Sequence, residues 1–210
     1  DGRVFDEFVR GNPFGDYRPS LISLARGERG KAMIRRTLGD ILLEELEREL
    51  VVVSTDLYER VPVYHRRGGA AEAVAASMCL PVLFPPQRMG GRVLVDGTLT
   101  DNCPVAPLCE IPEGPVIAVR IGSTSSRPSG ERVPSLGETL MRIMQMADRQ
   151  PGTDPSQSAT VTVTPDTRGV GLLEFHQIDR AREAGRRAGE VAVAALRGES
   201  VASELPAAAP

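Results

Sequence analysis

No apolar stretch of this 210-residue chain approaches the roughly 20 residues needed to cross a bilayer, and no secretory leader is visible. A membrane-spanning helix is therefore excluded from the sequence as it stands. Cysteine is scarce: Cys79, Cys103 and Cys109 are odd in number and lie in core-like or strand-edge contexts. That argues against a disulfide scaffold and predicts reduced thiols in a cytoplasmic protein. Their spacing suits no zinc site, and small buried hydrophobes describes them better. Histidine is as rare, with only His65 and His176, for which ordinary surface or capping roles are expected. No short ligand spacing joins either to an acid, so no metal and no cofactor is expected. Positive charge is not in excess: the net charge is −3 and Lys31 is the sole lysine. Such a balance predicts no nucleic-acid partner. Internal repeats are absent, and so is an initiator Met, the chain starting at Asp1 as a processed or truncated product would. An incomplete domain is the expectation.

What is present reads as alternating strands and helices, with enough residues for one sizeable core. Leu50-Val51-Val52-Val53 is an apolar, largely β-branched run of the kind buried on both faces of a parallel sheet, and it leads through Ser54-Thr55 to Asp56. Val61 to Tyr64 reads as a short strand, Arg66 to Gly69 as a turn, and Ala70 to Met78 as a buried helix. Pro81, Pro85 and Pro86 then enforce non-helical backbone. Met89-Gly90-Gly91-Arg92 turns into a second acid-tipped strand, Val93-Leu94-Val95-Asp96, followed at once by Gly97. Open α/β sheets place their chemistry beyond the carboxyl ends of strands, which makes Asp96 the leading candidate. Gly97 allows either a tight turn or a close backbone approach.

Further along, Val116 to Ile121 is another apolar strand, expected beside the Asp96 strand. Gly122 to Pro134 reads as a polar surface loop. Ser135 with Glu138 forms a capping box opening a helix whose stripe is Leu136, Leu140, Ile143, Met144 and Ala147. Ala159 to Thr164 alternates as a half-exposed strand, and Gln177 to Leu196 is a long helix. Glu199 to Pro210 is an Ala/Pro-rich tail expected to fray.

Taken in order, Val51 to Leu57, Ala75-Ala76-Ser77-Met78, Leu83-Phe84-Pro85-Pro86, and Asp96-Gly97 with Asn102 and Pro104 resemble the C-terminal part of a patatin-like phospholipase domain. Gly39-Asp40-Ile41 and Gly171 to Phe175 are similar to the neuropathy-target-esterase branch of that family. The resemblance implies a three-layer α/β/α fold with a mostly parallel central sheet and its N-terminal part missing. Residues 1–198 would be the C-terminal portion of the domain and 199–210 a flexible tail. It also implies a lipid acyl hydrolase (phospholipase, lysophospholipase or esterase) working through a Ser-Asp dyad on a lipid ester. Asp96 would be the base, Gly97 and Thr98 its turn, and Asn102 and Pro104 the hold on the following loop. An aspartate near its reference pKa of about 3.9 is a poor base, so burial would have to raise it.

Two departures stand out. Thr98 replaces the small third residue of the family's Asp-Gly-Gly or Asp-Gly-Ala box, where a β-branched side chain takes positive φ only at a cost. The Gly-rich oxyanion loop and the Gly-x-Ser-x-Gly elbow are absent; the nearest string, Gly122 to Ser126, lacks the second Gly. No nucleophile is therefore expected in this chain, which alone would be inactive. The missing half of the domain, or a homo-oligomer covering the bare edge, is the partner this implies. A degenerate binding or regulatory module is the alternative, and a metal-dependent phosphohydrolase using Asp56 and Asp96 a third reading. Arg26, Arg29, Lys31, Arg35 and Arg36 could make peripheral membrane contact; a solvated helix face balanced by Glu44, Glu45, Glu47 and Glu49 is the favoured reading of that cluster.

Overall fold

A computed structural model describes residues 16, 23–110, 114–121, 133, 139, 143, 158–168, 170 and 175–198. Most of the 122–134 loop, the Ser135/Glu138 capping box with most of its stripe, the string from Gly171 to Glu174 and the tail from Glu199 lie outside them. The chain divides into two compact units, Asp1–Pro107 with Ser135–Thr153, and Leu108–Pro134 with Asp154–Pro210.

In the first unit, helix α1 (Glu28–Leu38) begins where Asp16 Oδ2 accepts the Glu28 and Arg29 N–H groups at 2.8 and 3.3 Å, satisfying donors that a helix start leaves open. It ends at Gly39, whose φ of 64° the chain needs to turn away. Strands β1 (Val52–Asp56) and β2 (Val61–His65) form a hairpin. Four residues connect them, too few for the crossover that a parallel pair requires. The Asp56 carboxylate shapes that turn, accepting the Tyr58 and Glu59 N–H groups at 3.1 and 3.2 Å. Helix α2 (Ala70–Ser77) follows, then β3 (Gln87–Met89) and β4 (Arg92–Asp96), joined by Gly90 and Gly91 at φ 56° and 77°. Positive φ at both turn positions is what a two-residue hairpin demands. A single turn, α3 (Ala106–Cys109), begins in this unit and ends in the second.

The sheet order is β2-β1-β4-β3, every neighbouring pair antiparallel. The α/β class stands, but the mostly parallel arrangement expected of this sheet does not appear in it. The reason is that a central antiparallel strand covered on both faces carries the same unbroken apolar run as a parallel one. All of β1 is buried. Small side chains let α2 approach β1 and β4 closely: Ala70 and Ala73 pack with Val52 and Leu43, while Ala71 and Ala75 face Ile34 of α1.

The acids after α1 do not balance its arginines. Glu44 Oε2 accepts the Gly68 N–H at 2.7 Å, Glu45 Oε2 the Leu42 N–H at 3.2 Å, and Glu49 pairs with Arg66 at 2.7 Å. Glu44 and Glu49 instead hold the segment that enters α2, while Glu45 caps its own turn.

The second unit holds β5 (Ile117–Val119) paired in parallel with β6 (Val161–Val163), and α4 (Ile178–Leu196). Val163 packs against Ala188 and Ala192 of that helix. The expectation that the strand at Val116–Ile121 lies beside the Asp96 strand is not met; β6 is its partner. Glu183 on α4 pairs with Arg186 and Arg187 at 2.7 and 2.9 Å, exposed i,i+3 and i,i+4 contacts that solubilise more than they stabilise.

Candidate functional site

Asp96 ends β4 with φ −51° and ψ 137°, its residue only 9% exposed. Three of its groups are held. Its N–H donates to the Cys79 carbonyl at 3.0 Å, its carbonyl accepts the Thr55 hydroxyl at 2.8 Å, and its Oδ1 accepts the Thr98 N–H at 2.9 Å. Burial pushes the carboxyl above the ordinary carboxylate range, although hydrogen bonds from the Thr98 N–H and hydroxyl pull the other way. The adjacent Cys79 thiol, buried and donating to the Ala75 carbonyl at 3.1 Å, is pushed up to about 11, chiefly by burial. It stays a thiol at neutral pH.

After Asp96 the chain makes a 3-10 turn, Gly97–Leu99, and Thr100 and Asp101 both donate their N–H to the Gly97 carbonyl. Thr98 is free of positive φ, so its β-branch costs nothing there. Rather than distorting the turn, it adds a hydroxyl contact to the carboxylate. Gly97 earns its place by close approach and not by a special φ. A Cβ on it would lie 2.6 Å from the Val53 carbonyl oxygen. Asn102 is exposed and Pro104 half-buried in the loop leading to α3.

Register places Ser54 directly opposite Asp96 on one face of the sheet, with His65 of β2 on that same face. Ser54 Oγ and His65 Nε2 are 2.7 Å apart. His65 is half-buried, and its imidazole is held below its usual range by burial and by the charge of Arg92. The surface role expected of it gives way to a bond inside the sheet. Ser54 is 0% exposed, so no substrate carbonyl reaches it and the trio is not a hydrolytic triad. His176 is exposed ahead of α4.

Asp56 is a different kind of acid. Antiparallel pairing sets it opposite Leu94, away from Asp96 along the strand, and its oxygens serve the hairpin turn and Arg92 at 3.8 Å. Among the described residues no group of three or more His, Cys, Asp or Glu side chains could hold a metal ion. Among them too, no helix is long and apolar enough to cross a membrane.

Residues 6–108 match the family model of patatin-like phospholipases, a span that contains Asp96, Gly97, Thr98, Asn102 and Pro104. Over these residues the chain is patatin-like. An uncharacterized NTE family protein of Mycobacterium tuberculosis is 32% identical over 212 residues, which cover 90% of this chain and 36% of that protein. Lysophospholipase NTE1 of Candida glabrata is 24% identical over 221 residues, 91% of this chain and 12% of its own length. The same-named protein of Cryptococcus neoformans is 41% identical over 83 residues, 38% of this chain and 5% of its own. The chain thus spans about a third of the length of the first curated relatives it matches. Thr55, Thr100 and the Ser54–His65 bond are features that motif reading missed. The antiparallel register of β1 with β4 brings Thr55 to Asp96, and that of β1 with β2 brings His65 to Ser54; the short 57–60 connection was the signal for the second pairing alone.

Proposed function

We propose that this patatin-like chain supplies the acid side of a lipid acyl hydrolase, with Asp96 as general base. The nucleophilic serine would come from a Gly-x-Ser-x-Gly segment outside this sequence, so that the chain alone is inactive. In this reading residues 1–198 form the C-terminal portion of the hydrolase domain and 199–210 a tail. The observation that carries it is the state of Asp96: a carboxylate buried at a strand end, raised toward neutral pH, with its backbone fixed at N–H and carbonyl. A group so placed suits removal of the serine proton as the serine oxygen attacks an ester carbonyl. The carboxyl would return that proton to the departing alcohol as the ester C–O bond breaks, leaving an acyl-serine. Water would then attack the acyl carbonyl, its proton passing to the freed carboxylate and on to the serine oxygen as the fatty acid leaves. Gly97 and Thr98 form the turn that presents Asp96; Asn102 and Pro104 shape the loop that leaves it. A lysophospholipid is the substrate suggested by the two relatives that are lysophospholipases.

The test is ester hydrolysis by the longer polypeptide containing this chain. Asp96→Asn should lower kcat by about a thousandfold, within the range general bases contribute, with circular dichroism unchanged. Chelator should leave the wild-type rate intact. Wild-type turnover in Asp96→Asn would remove the base assignment; loss of activity with chelator would favour the metal-dependent reading. No turnover in either protein, with ester still bound, would favour a binding module.

A further inference from the structure

Thr55 follows Ser54 on β1 but points to the opposite face of the sheet, where it is 4% exposed. Its Oγ1 is 2.8 Å from the Asp96 carbonyl oxygen and 2.8 Å from Thr100 Oγ1. A hydroxyl has one proton. Since Thr55 spends its own on the carbonyl, Thr100 must donate to Thr55, and the relay runs Thr100 to Thr55 to Asp96. One residue on, Asp101 Oδ2 accepts the Tyr64 hydroxyl of β2 at 2.7 Å. The segment after the candidate base is therefore fastened to the β1–β2 hairpin at both ends, by Gly97 against Val53 and by Thr100 and Asp101 against Thr55 and Tyr64.

We propose that the Thr100–Thr55 hydroxyl relay positions Asp96 for proton abstraction, making Thr55 a positioning residue of the reaction. This rests on the reading of Asp96 as base. A Thr55 hydroxyl contact that served packing alone could be made to any group; here it ends on the backbone of the one buried acid at the end of β4. Misplacing a reacting group by about 1 Å can cost roughly a hundredfold in rate. Thr55→Val keeps the branched shape and removes the hydroxyl, so it isolates the bond from the packing.

The experiment measures kcat and KM for ester hydrolysis in the longer, serine-bearing polypeptide, alongside the thermal midpoint. Thr55→Val is expected to lower kcat about tenfold or more with KM unchanged, and Thr55→Ser, which keeps the hydroxyl, to restore most of it. Wild-type kcat in Thr55→Val, with Asp96→Asn inactive, overturns the relay while leaving the base in place. Equal losses in Thr55→Val and Thr55→Ser also overturn it, because the methyl and not the hydroxyl would then matter. Full activity in Asp96→Asn is the separate result that sinks the base reading itself. If Thr55→Val does not fold, Thr100→Val takes its place: a few-fold fall in kcat supports the relay, and a wild-type kcat overturns it.

Discussion

Replacing Gly97 by alanine probes the contact that seats Asp96. The added Cβ would stand 2.6 Å from the Val53 carbonyl oxygen, 3.0 Å from its carbon and 3.2 Å from Val53 Cγ1. All three lie inside ordinary contact, and two belong to the backbone of the central strand, which cannot swing aside as a side-chain tip would. To reach ordinary contact the turn and β1 must separate by about 0.8 Å. Overpacking of this kind costs about 1–3 kcal/mol. For a chain of this size each 1 kcal/mol corresponds to about 2–4 °C in melting midpoint. Gly185→Ala is the matched control, since nothing lies within 4 Å of a Cβ on Gly185 in α4. Removing a glycine from a helix interior should stabilise by about 0.5–1 kcal/mol. Urea denaturation followed by circular dichroism reads both. A Gly97→Ala protein as stable as wild type would refute the close approach.

Asp96→Asn should stabilise the fold near neutral pH. A carboxyl whose folded pKa is raised favours the folded state while protonated, and that favour is lost as pH rises through the raised value. The isosteric amide has no such loss, so its melting advantage should grow from acid to neutral pH; a constant difference would contradict the burial argument. Leu43→Ala, at a 2% exposed position against Val52, Ala70 and Ala73, should cost about 2–5 kcal/mol in urea midpoint analysis. Asp56→Ala removes the acceptor for two N–H groups of the hairpin turn and should cost about 1–3 kcal/mol, whereas Asp56→Asn, which can still accept, should cost less.

Local chemistry was the legible part of the sequence. The Gly90-Gly91 turn, the helix at Ala70, and the strands ending at Asp56 and Asp96 all follow from residue-level rules and lie where those rules put them. Strand direction was not legible from apolar runs, because burial on both faces erases the alternation that marks an antiparallel strand with one wet side. Because β1 and β4 run antiparallel, Asp56 lies away from Asp96 and Thr55 comes to its carbonyl. Thr98 shows the same limit. The identity of its side chain suggested strain, and only the helical turn shows that it has none and contributes a hydroxyl.

The most direct measurement is the rate at which a fluorophosphonate labels the serine of the longer polypeptide, followed from about pH 4 to about pH 8 in wild type and in Asp96→Asn. The wild-type rate should fall on the acid side at a pH above the ordinary aspartate value, and the Asp96→Asn rate should be at least about a hundredfold lower with no such limb. Equal labelling of the two proteins across that range would contradict it.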